Sequence, residues 1–384
     1  MILIDWSVKV AALSTDRDRA HLRKALELAE GGRGRVSPNP LVGALIVAGG
    51  EAIGEGHHAA VGEIHAEVAA LADCAARGND PSGATMYISL EPCAHHGRQP
   101  PCTDAILAAG IARVVIGCDD PSEKANGRGP GILRDGGVDV SFADGAEAAA
   151  ARLLIQPFRK HARTGRPLVT LKSALSLDGL TATSSGDSKW ISGHESRALV
   201  HRWRAEADAV AVGIGTALAD DPLLTARDTD DPRPRQPTRV VFDSAARLPL
   251  DSALVRSIGQ APVFVVAAAD AGAARVAALR DAGAEVLQLS GFPGERIRAA
   301  IGELGGRGIT SVLLEGGGTL AASFLTAGEV DELRLFFAPI VLGGGRPLAA
   351  GEGPGAIVDA VRPIAVDWEP SGEDMLVRAR LREW

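Results

Sequence analysis

The residues that most constrain this chain lie between positions 65 and 102: His65-Ala66-Glu67, then Pro92-Cys93, then Cys102. Each sits where a helix pattern and a strand pattern meet. Residues 63–77 read as a helix, ATMYISL at 84–90 as a strand, CTDAILAAG at 102–110 as a helix stopped by Gly110, and ARVVIG at 112–117 as a strand. Upstream, residues 17–30 place Leu22, Ala25, Leu26 and Ala29 on one helical face before Gly31, Gly32 and Gly34 end it. SPNP at 37–40 then reads as a turn, and LVGALIV at 41–47 as a buried strand. Alternation of this kind predicts an α/β layered domain.

One histidine and two cysteines supply the N and S ligands that zinc prefers, and three protein ligands leave the fourth position open, as in catalytic sites. Such an ion lowers the pKa of a bound water towards ~7. Glu67, two residues from His65, is placed to take the proton and hand it to a leaving group. The reading is His65, Cys93 and Cys102 as ligands and Glu67 as the catalytic acid/base, with both thiolates at helix N-termini, where the helix dipole stabilises them. Zinc nucleobase deaminases carry H-x-E and P-C-x-x-C; here the second cysteine follows after nine positions instead of three. The intervening AHHGRQPP brings His95, His96 and Arg98 beside the metal, a loop suited to a polar or phosphorylated substrate. A single His or Cys is more often packing than ligand, and Cys74 and Cys118 are read that way. A structural zinc closed by His57, His58 or His96 is the competing reading of the site.

The remaining bulk properties narrow the classes. Forty basic against 48 acidic residues give a net charge of −8, which argues against a general nucleic-acid binder. No apolar run reaches membrane-spanning length. Met1 to Leu13 contains Asp5 and Lys9 and is not read as a signal peptide. The four cysteines crowd between positions 74 and 118, which suits a metal site in a reducing cytoplasm better than a disulfide framework.

Near residue 160 the rhythm breaks at FRKHARTGRP (158–167), whose charges read individually as a solvated helix end and which marks a domain boundary. A second α/β pattern follows, with strands at 209–215, 238–243, 263–268, 311–317 and 332–344, helices at 193–206, 271–282 and 318–327, and a charged, Pro-rich loop at 228–237. VGIGTAL at 212–218 supplies G-x-G without a third glycine and reads equally as a tight turn. LLEGGGTLAA at 313–322 joins a strand, a glycine turn and a helix start, where backbone N–H groups can cradle a phosphate.

SPNPLVGALIV, HAEVAAL, EPCAHHGRQPPC and DDPSEKANGRG resemble the deaminase half of the bifunctional riboflavin-biosynthesis deaminase/reductase family. LVTLKSALSLDG, SGDSKWISG, HRWRAEADAVAVGIGTALADDPLLTAR, LLEGGGTLAASF and FAPIVLGG are similar to its reductase half. The resemblance implies a cytidine-deaminase-like α/β/α domain over 17–160 and a dihydrofolate-reductase-like α/β domain over 165–384. It implies zinc and NADPH as cofactors, a small phosphorylated pyrimidine as substrate, and self-association. The implied reactions are hydrolytic loss of the 2-amino group of the diaminopyrimidinone ribosylamino phosphate, then hydride transfer that opens the ribosyl group to ribityl.

Carried over residue by residue, Asn39 would face the base, His95 and Arg98 the ribose phosphate, and Asp120 the pyrimidine or ribose. Lys172, Ser188, Trp190, Arg204, Asp220, Leu224, Arg227 and Glu315 would line the reductase substrate site. Arg204 and Arg227 would be phosphate partners, since arginine binds phosphate bidentately. Gly213, Thr216, Gly316, Gly317, Gly318 and Thr319 would lie near the cofactor. Read without the resemblance, Trp190 is a packed core residue and Arg204 lies on a solvated helix face. The chain departs from the family at Ser122 (usually Asn), Gln99 (Thr), Leu180 (Lys or Arg) and Ser192 (Thr).

Overall fold

The computed structural model describes residues 15–97, 99–125, 127–227, 229 and 234–384. Arg98, the stretch before Thr15, and parts of the 228–237 loop lie outside the described residues. The chain divides into two compact units, one reaching to Thr164 and including Trp384, the other Gly165–Glu383. Among the described residues no helix is long and apolar enough to cross a membrane.

In the first unit the elements run α1 (Asp16–Ala29), β1 (Gly43–Ala48), β2 (Glu51–His57), α2 (Ala66–Ala76), β3 (Thr85–Ile88), α3 (Cys102–Ala108), β4 (Arg113–Ile116), α4 (Arg128–Asp135), β5 (Asp139–Phe142), α5 (Gly145–Leu154) and α6 (Gln156–Thr164). Five strands form one sheet in the order β2-β1-β3-β4-β5. β1 is antiparallel to both neighbours, whereas β3, β4 and β5 are parallel. Alternate side chains feed two cores. Ala44, Ile46, Met86, Ile88, Val114 and Ile116 pack towards α2, α3 and α4. Leu45, Val47, Tyr87 and Val115 pack towards Leu22 and Ala25 of α1. Apolar residues on both faces are what a sheet between two helical layers requires.

The second unit runs β6 (Leu168–Leu175), β7 (Leu180–Ala182), α7 (His194–Glu206), β8 (Ala209–Gly213), α8 (Ile214–Asp220), β9 (Thr238–Phe242), α9 (Ala253–Arg256), β10 (Val263–Ala268), α10 (Ala273–Asp281), β11 (Glu285–Leu289), α11 (Pro293–Gly306), β12 (Ser311–Leu314), α12 (Gly318–Thr326), β13 (Glu332–Phe337), β14 (Arg346–Pro347), β15 (Ala365–Ser371) and β16 (Asp374–Arg380). Nine strands form one sheet in the order β11-β10-β9-β8-β12-β6-β13-β16-β15. All pair parallel except β16, which is antiparallel to both β13 and β15. β7 and β14 form a separate antiparallel pair.

Three local readings change. The expected strand at 332–344 stops at Phe337, because Pro339 and the glycine run 343–345 turn the chain away. The helix expected from residue 63 starts at Ala66, with His65 in extended backbone at its N-cap. The basic stretch beginning at Phe158 is the end of α6, but Arg159 and Lys160 are buried and not solvated. Arg159 donates to the Asp119 carboxylate and to the Trp384 carbonyl, and the Lys160 ammonium lies over the Trp384 ring. A buried cation survives only with partners of this kind.

Candidate functional site

A close approach of strand and helix builds the first site. A Cβ on Gly56 of β2 would lie 2.3 Å from the Ala70 backbone nitrogen and 2.6 Å from the Ala66 carbonyl oxygen. Glycine therefore lets α2 rest directly on β2, which fixes the start of α2 and with it His65 and Glu67. The opposing wall comes from the turn after β3, which carries Cys93, and from the first turn of α3, which begins at Cys102.

These elements bring His65, Cys93 and Cys102 together, one potential ligand atom from each lying within 4.8 Å of the others. His65 Nδ1 is 3.2 Å from Cys102 Sγ and 3.5 Å from Cys93 Sγ. Only Cys102 opens a helix. Cys93 lies outside one, but its Sγ accepts the Cys102 backbone N–H at 3.3 Å, so both sulfurs share a single helix N-terminus. Hydrogen bonding to Cys102 and His65 holds Cys93 well below the ordinary thiol range, and the same sharing pushes Cys102 up. One nitrogen and two sulfurs at this spacing fit zinc. Among the described residues no fourth histidine, cysteine or carboxylate joins the three.

Glu67 lies beneath them, 3% exposed. Burial pushes its carboxyl up to about 7, against the pull of its own backbone N–H and of His65. A carboxyl poised near neutrality can both accept and return a proton.

His58, just after the end of β2, is buried and orders one wall. Its Nδ1 faces the Ile64 carbonyl at 3.1 Å and must donate there, which leaves Nε2 as an acceptor. Asn39 Nδ2 lies 3.1 Å from that nitrogen and donates to it. The amide of Asn39 is thereby oriented with Oδ1 available to accept from a ligand N–H.

Glu91 was not singled out by sequence, although its place in Glu91-Pro92-Cys93 offered a signal. It is 4% exposed, and burial pushes it up to about 6 against backbone donors. It accepts the Gly127 N–H at 2.9 Å and the Asp120 N–H at 3.4 Å, tying the loop after β4 to the cysteine turn. At Gly129 a Cβ would meet the Pro92 carbonyl oxygen at 2.2 Å. The carboxylate of Asp120 accepts the Ser122 backbone N–H at 2.8 Å, and burial raises its pKa. His95 Nδ1 is buried without a partner among the described residues, and its charge favours ionised Asp120. His96 is exposed. A cavity of about 350 Å³ near Thr85 and Arg113 lies at the other end of β3 and β4 and contains none of these residues.

The second unit gathers its residues at the C-terminal ends of β6, β8 and β12, where open α/β sheets bind ligands. The Gly213–Thr216 and Gly316–Thr319 turns, far apart in sequence, meet there: Thr216 Oγ1 accepts the Gly317 N–H at 3.2 Å. Gly317 is the N-cap of α12. The Arg204 side chain is only 13% exposed and not on a solvated face. Its Nε and one terminal nitrogen bind both oxygens of Glu315 at 2.7 and 2.8 Å. Burial alone would raise Glu315, but Arg204 and Lys172 hold it down at about 2. Burial lowers Lys172, with Arg204 adding to the effect and Glu315 opposing it. Because Glu315 occupies its fork, Arg204 acts here as the carboxylate's partner, and Arg227 is the exposed arginine of the pair. Arg227 donates to Thr225 Oγ1 at 2.8 Å.

Trp190 is 71% exposed and so no core residue; the Arg197 guanidinium lies 4.7 Å from its ring centroid. Asp220 faces Lys189 at 3.6 Å, Ser188 is half-buried, and Leu224 is buried with φ of 54°. Leu180 lies on β7, and the Ser192 carbonyl accepts from Arg197. His201, whose charge also reaches Glu315, was not foreseen; its spacing three residues before Arg204 on α7 was the available signal.

Comparison with known proteins covers both units. A family model described as the cytidine and deoxycytidylate deaminase zinc-binding region matches residues 15–118. One described as the RibD C-terminal domain matches residues 167–377. The riboflavin biosynthesis protein RibD of Actinobacillus pleuropneumoniae is 38% identical over 370 residues, covering 95% of this chain and 96% of that one. A structure of Acinetobacter baumannii RibD aligns with a TM-score of 0.83 at 36% identity, over 95% of this chain and 98% of the other. The Thermotoga maritima diaminohydroxyphosphoribosylaminopyrimidine deaminase/5-amino-6-(5-phosphoribosylamino)uracil reductase aligns with a TM-score of 0.81 at 34% identity, with the same coverage.

Proposed function

The chain belongs to the RibD family of riboflavin biosynthesis proteins, and we propose that it acts on 2,5-diamino-6-(5-phosphoribosylamino)pyrimidin-4(3H)-one, first by deamination and then by reduction of the ribosyl group to ribityl. It is a bifunctional enzyme with a zinc-binding deaminase half and an NADPH-dependent reductase half. We assign deamination to residues 17–160 and reduction to 165–384. The observation that carries the reading is the convergence of His65, Cys93 and Cys102 above a buried Glu67 whose carboxyl is poised near neutrality.

His65, Cys93 and Cys102 would hold the zinc, which when bound supplies the Lewis acidity that makes water nucleophilic at neutral pH. Glu67 takes the proton from the attacking water and returns it to the departing nitrogen, so water is consumed and ammonia released. Asn39 accepts from an N–H of the pyrimidine, in the orientation His58 imposes. Asp120, held by Ser122 and Glu91, and His95 with Arg98 bind the ribose phosphate side.

In the second half, NADPH when bound would supply the hydride for the ribosyl carbon, and the ring oxygen set free would need a proton. Lys172, a donor whose burial weakens its hold on the proton, is suited to give it, with the charges of Glu315 and Arg204 acting on it in opposite directions. Gly213, Thr216, Gly316, Gly317, Gly318 and Thr319 would approach the cofactor, the N–H groups at the start of α12 suiting phosphate. Ser188, Trp190, Asp220, Leu224 and Arg227 would complete the substrate wall. We place the enzyme in the cytoplasm, a reading supported by four unpaired cysteines, and read it as self-associating.

The test follows two signals from the zinc-loaded protein and this substrate. Ammonia release followed by loss of NADPH absorbance is expected. Absence of ammonia with zinc bound would sink the substrate assignment.

A further inference from the structure

The peptide group between Asp119 and Asp120 is held from both sides. Its carbonyl oxygen accepts from Arg159 Nη1 at 2.9 Å, and its N–H donates to the Glu91 carboxylate at 3.4 Å. A peptide group is planar, so fixing both of its polar ends fixes the plane and the direction in which the chain enters Asp120. The Ser122 N–H then takes one oxygen of the Asp120 carboxylate at 2.8 Å. Packing cannot supply this order, because none of residues 119–124 is buried. A loop with few buried apolar contacts opens easily, and polar anchors do here what a core does elsewhere.

Glu91 lies beside the cysteine turn, but Arg159 comes from α6, 40 residues beyond Asp119. Its side chain is 2% exposed. Taking a guanidinium out of water is costly, and a well-packed apolar side chain often serves stability as well or better. The guanidinium is also aimed. Two of its nitrogens meet the two Asp119 carboxylate oxygens at 3.1 and 3.4 Å, and Nε donates to the Trp384 carbonyl at 2.6 Å. Trp384 is itself fixed, since its N–H donates to Gln156 Oε1 at 2.8 Å and its carbonyl accepts from Gln156 Nε2 at 3.3 Å. One edge of Arg159 is thus anchored on Trp384 while the other grips Asp119.

We propose that Arg159 is a positioning residue for deamination, fixing the Asp119–Asp120 peptide group so that the Asp120 carboxylate meets the substrate in one orientation. The inference rests on the reading of Asp120 as a substrate-binding residue. A binding group ordered in advance spares the ordering cost at binding. Loss of Arg159 is therefore felt in substrate affinity and not in proton transfer at Glu67.

Steady-state ammonia release by the full, zinc-loaded chain tests this. Arg159→Met is expected to raise KM about tenfold and to change kcat less than about twofold, as when binding common to ground and transition states is removed. Zinc content, and KM for reduction of the already deaminated compound, are expected to stay as in wild type. In an Asp120→Ala background the same change is expected to add nothing to KM, because the carboxylate that Arg159 orients is gone. Arg159→Lys serves if the first variant does not fold. Its ammonium keeps the charge without the fork, and a rise in KM of about threefold is expected. An unchanged KM in both Arg159 variants, with Asp120→Ala raising it, would overturn the positioning role alone. So would a rise that persists in the Asp120→Ala background, or one accompanied by loss of zinc. An unchanged KM in Asp120→Ala would overturn the substrate-site reading itself, and the inference with it.

Discussion

Glu67 and Glu315 are both buried carboxylates, and their surroundings drive them in opposite directions. Glu67 has no cation fork, so burial dominates and its proton is held to about 7. Glu67→Gln keeps the shape and removes the exchangeable proton. Ammonia release is expected to fall by about 10²–10⁴-fold, the usual contribution of a positioned acid/base, with zinc content unchanged by metal analysis. Glu315 has Arg204 across a two-point bond, which holds it at about 2 against an ordinary value of 4.5. A depressed carboxyl contributes stability that is full above the ordinary value and is lost as pH falls through the folded one. Glu315→Gln is therefore expected to unfold in urea with a deficit of about 3–5 kcal/mol at pH 7, since the largely buried Arg204 loses its counter-charge. The deficit should shrink as pH falls from about 4.5 towards 2. Ser122, a departure from the family's asparagine, still supplies its backbone N–H to Asp120. Ser122→Ala is thus expected to raise KM for deamination less than about tenfold, while loss of the Asp120 carboxylate in Asp120→Ala should raise it far more.

Among the elements, α2 depends on what β2 lacks. Gly56→Ala would drive a methyl into the Ala70 nitrogen and the Ala66 carbonyl, and backbone cannot yield as a side-chain tip can. A loss of about 1–3 kcal/mol is expected from overpacking of this kind, with weaker zinc retention because His65 and Glu67 shift with the helix. Thermal melts and zinc stoichiometry measured together check it. The same elements show what the sequence disclosed. β10 matches its expected span, and α3, β4, α7 and α12 end within two residues of theirs, because apolar period and glycine stops agree there. β2, EAIGEGH, escaped because its buried positions are glycines, which carry no hydrophobic signal. α11 escaped because Gly294, Gly302, Gly305 and Gly306 lower its helix propensity, which the packing of Ile297, Ala300, Ile301 and Leu304 offsets. The grouping of His65, Cys93 and Cys102 was legible because their chemistry is rare. Glu91 and His58 were not, since their roles arise from contacts with loops distant in sequence.

In the whole molecule, two sheets of different order carry two chemistries on separate sets of residues. A chelator that strips zinc is expected to abolish ammonia release while leaving NADPH oxidation intact when the already deaminated compound is supplied. Parallel loss of both rates would argue against that independence. The parallel arrangement of β3 and β4 has one more outcome. Both strands deliver loop segments, 93–97 and 119–124, none of whose residues is buried, to the same rim, while the hydrophobic interior lies behind them. Heritable change can therefore accumulate in those loops without disturbing the framework. A saturation library scored for abundance should find them permissive. The same library scored for growth without riboflavin should find them among the least permissive positions of the chain.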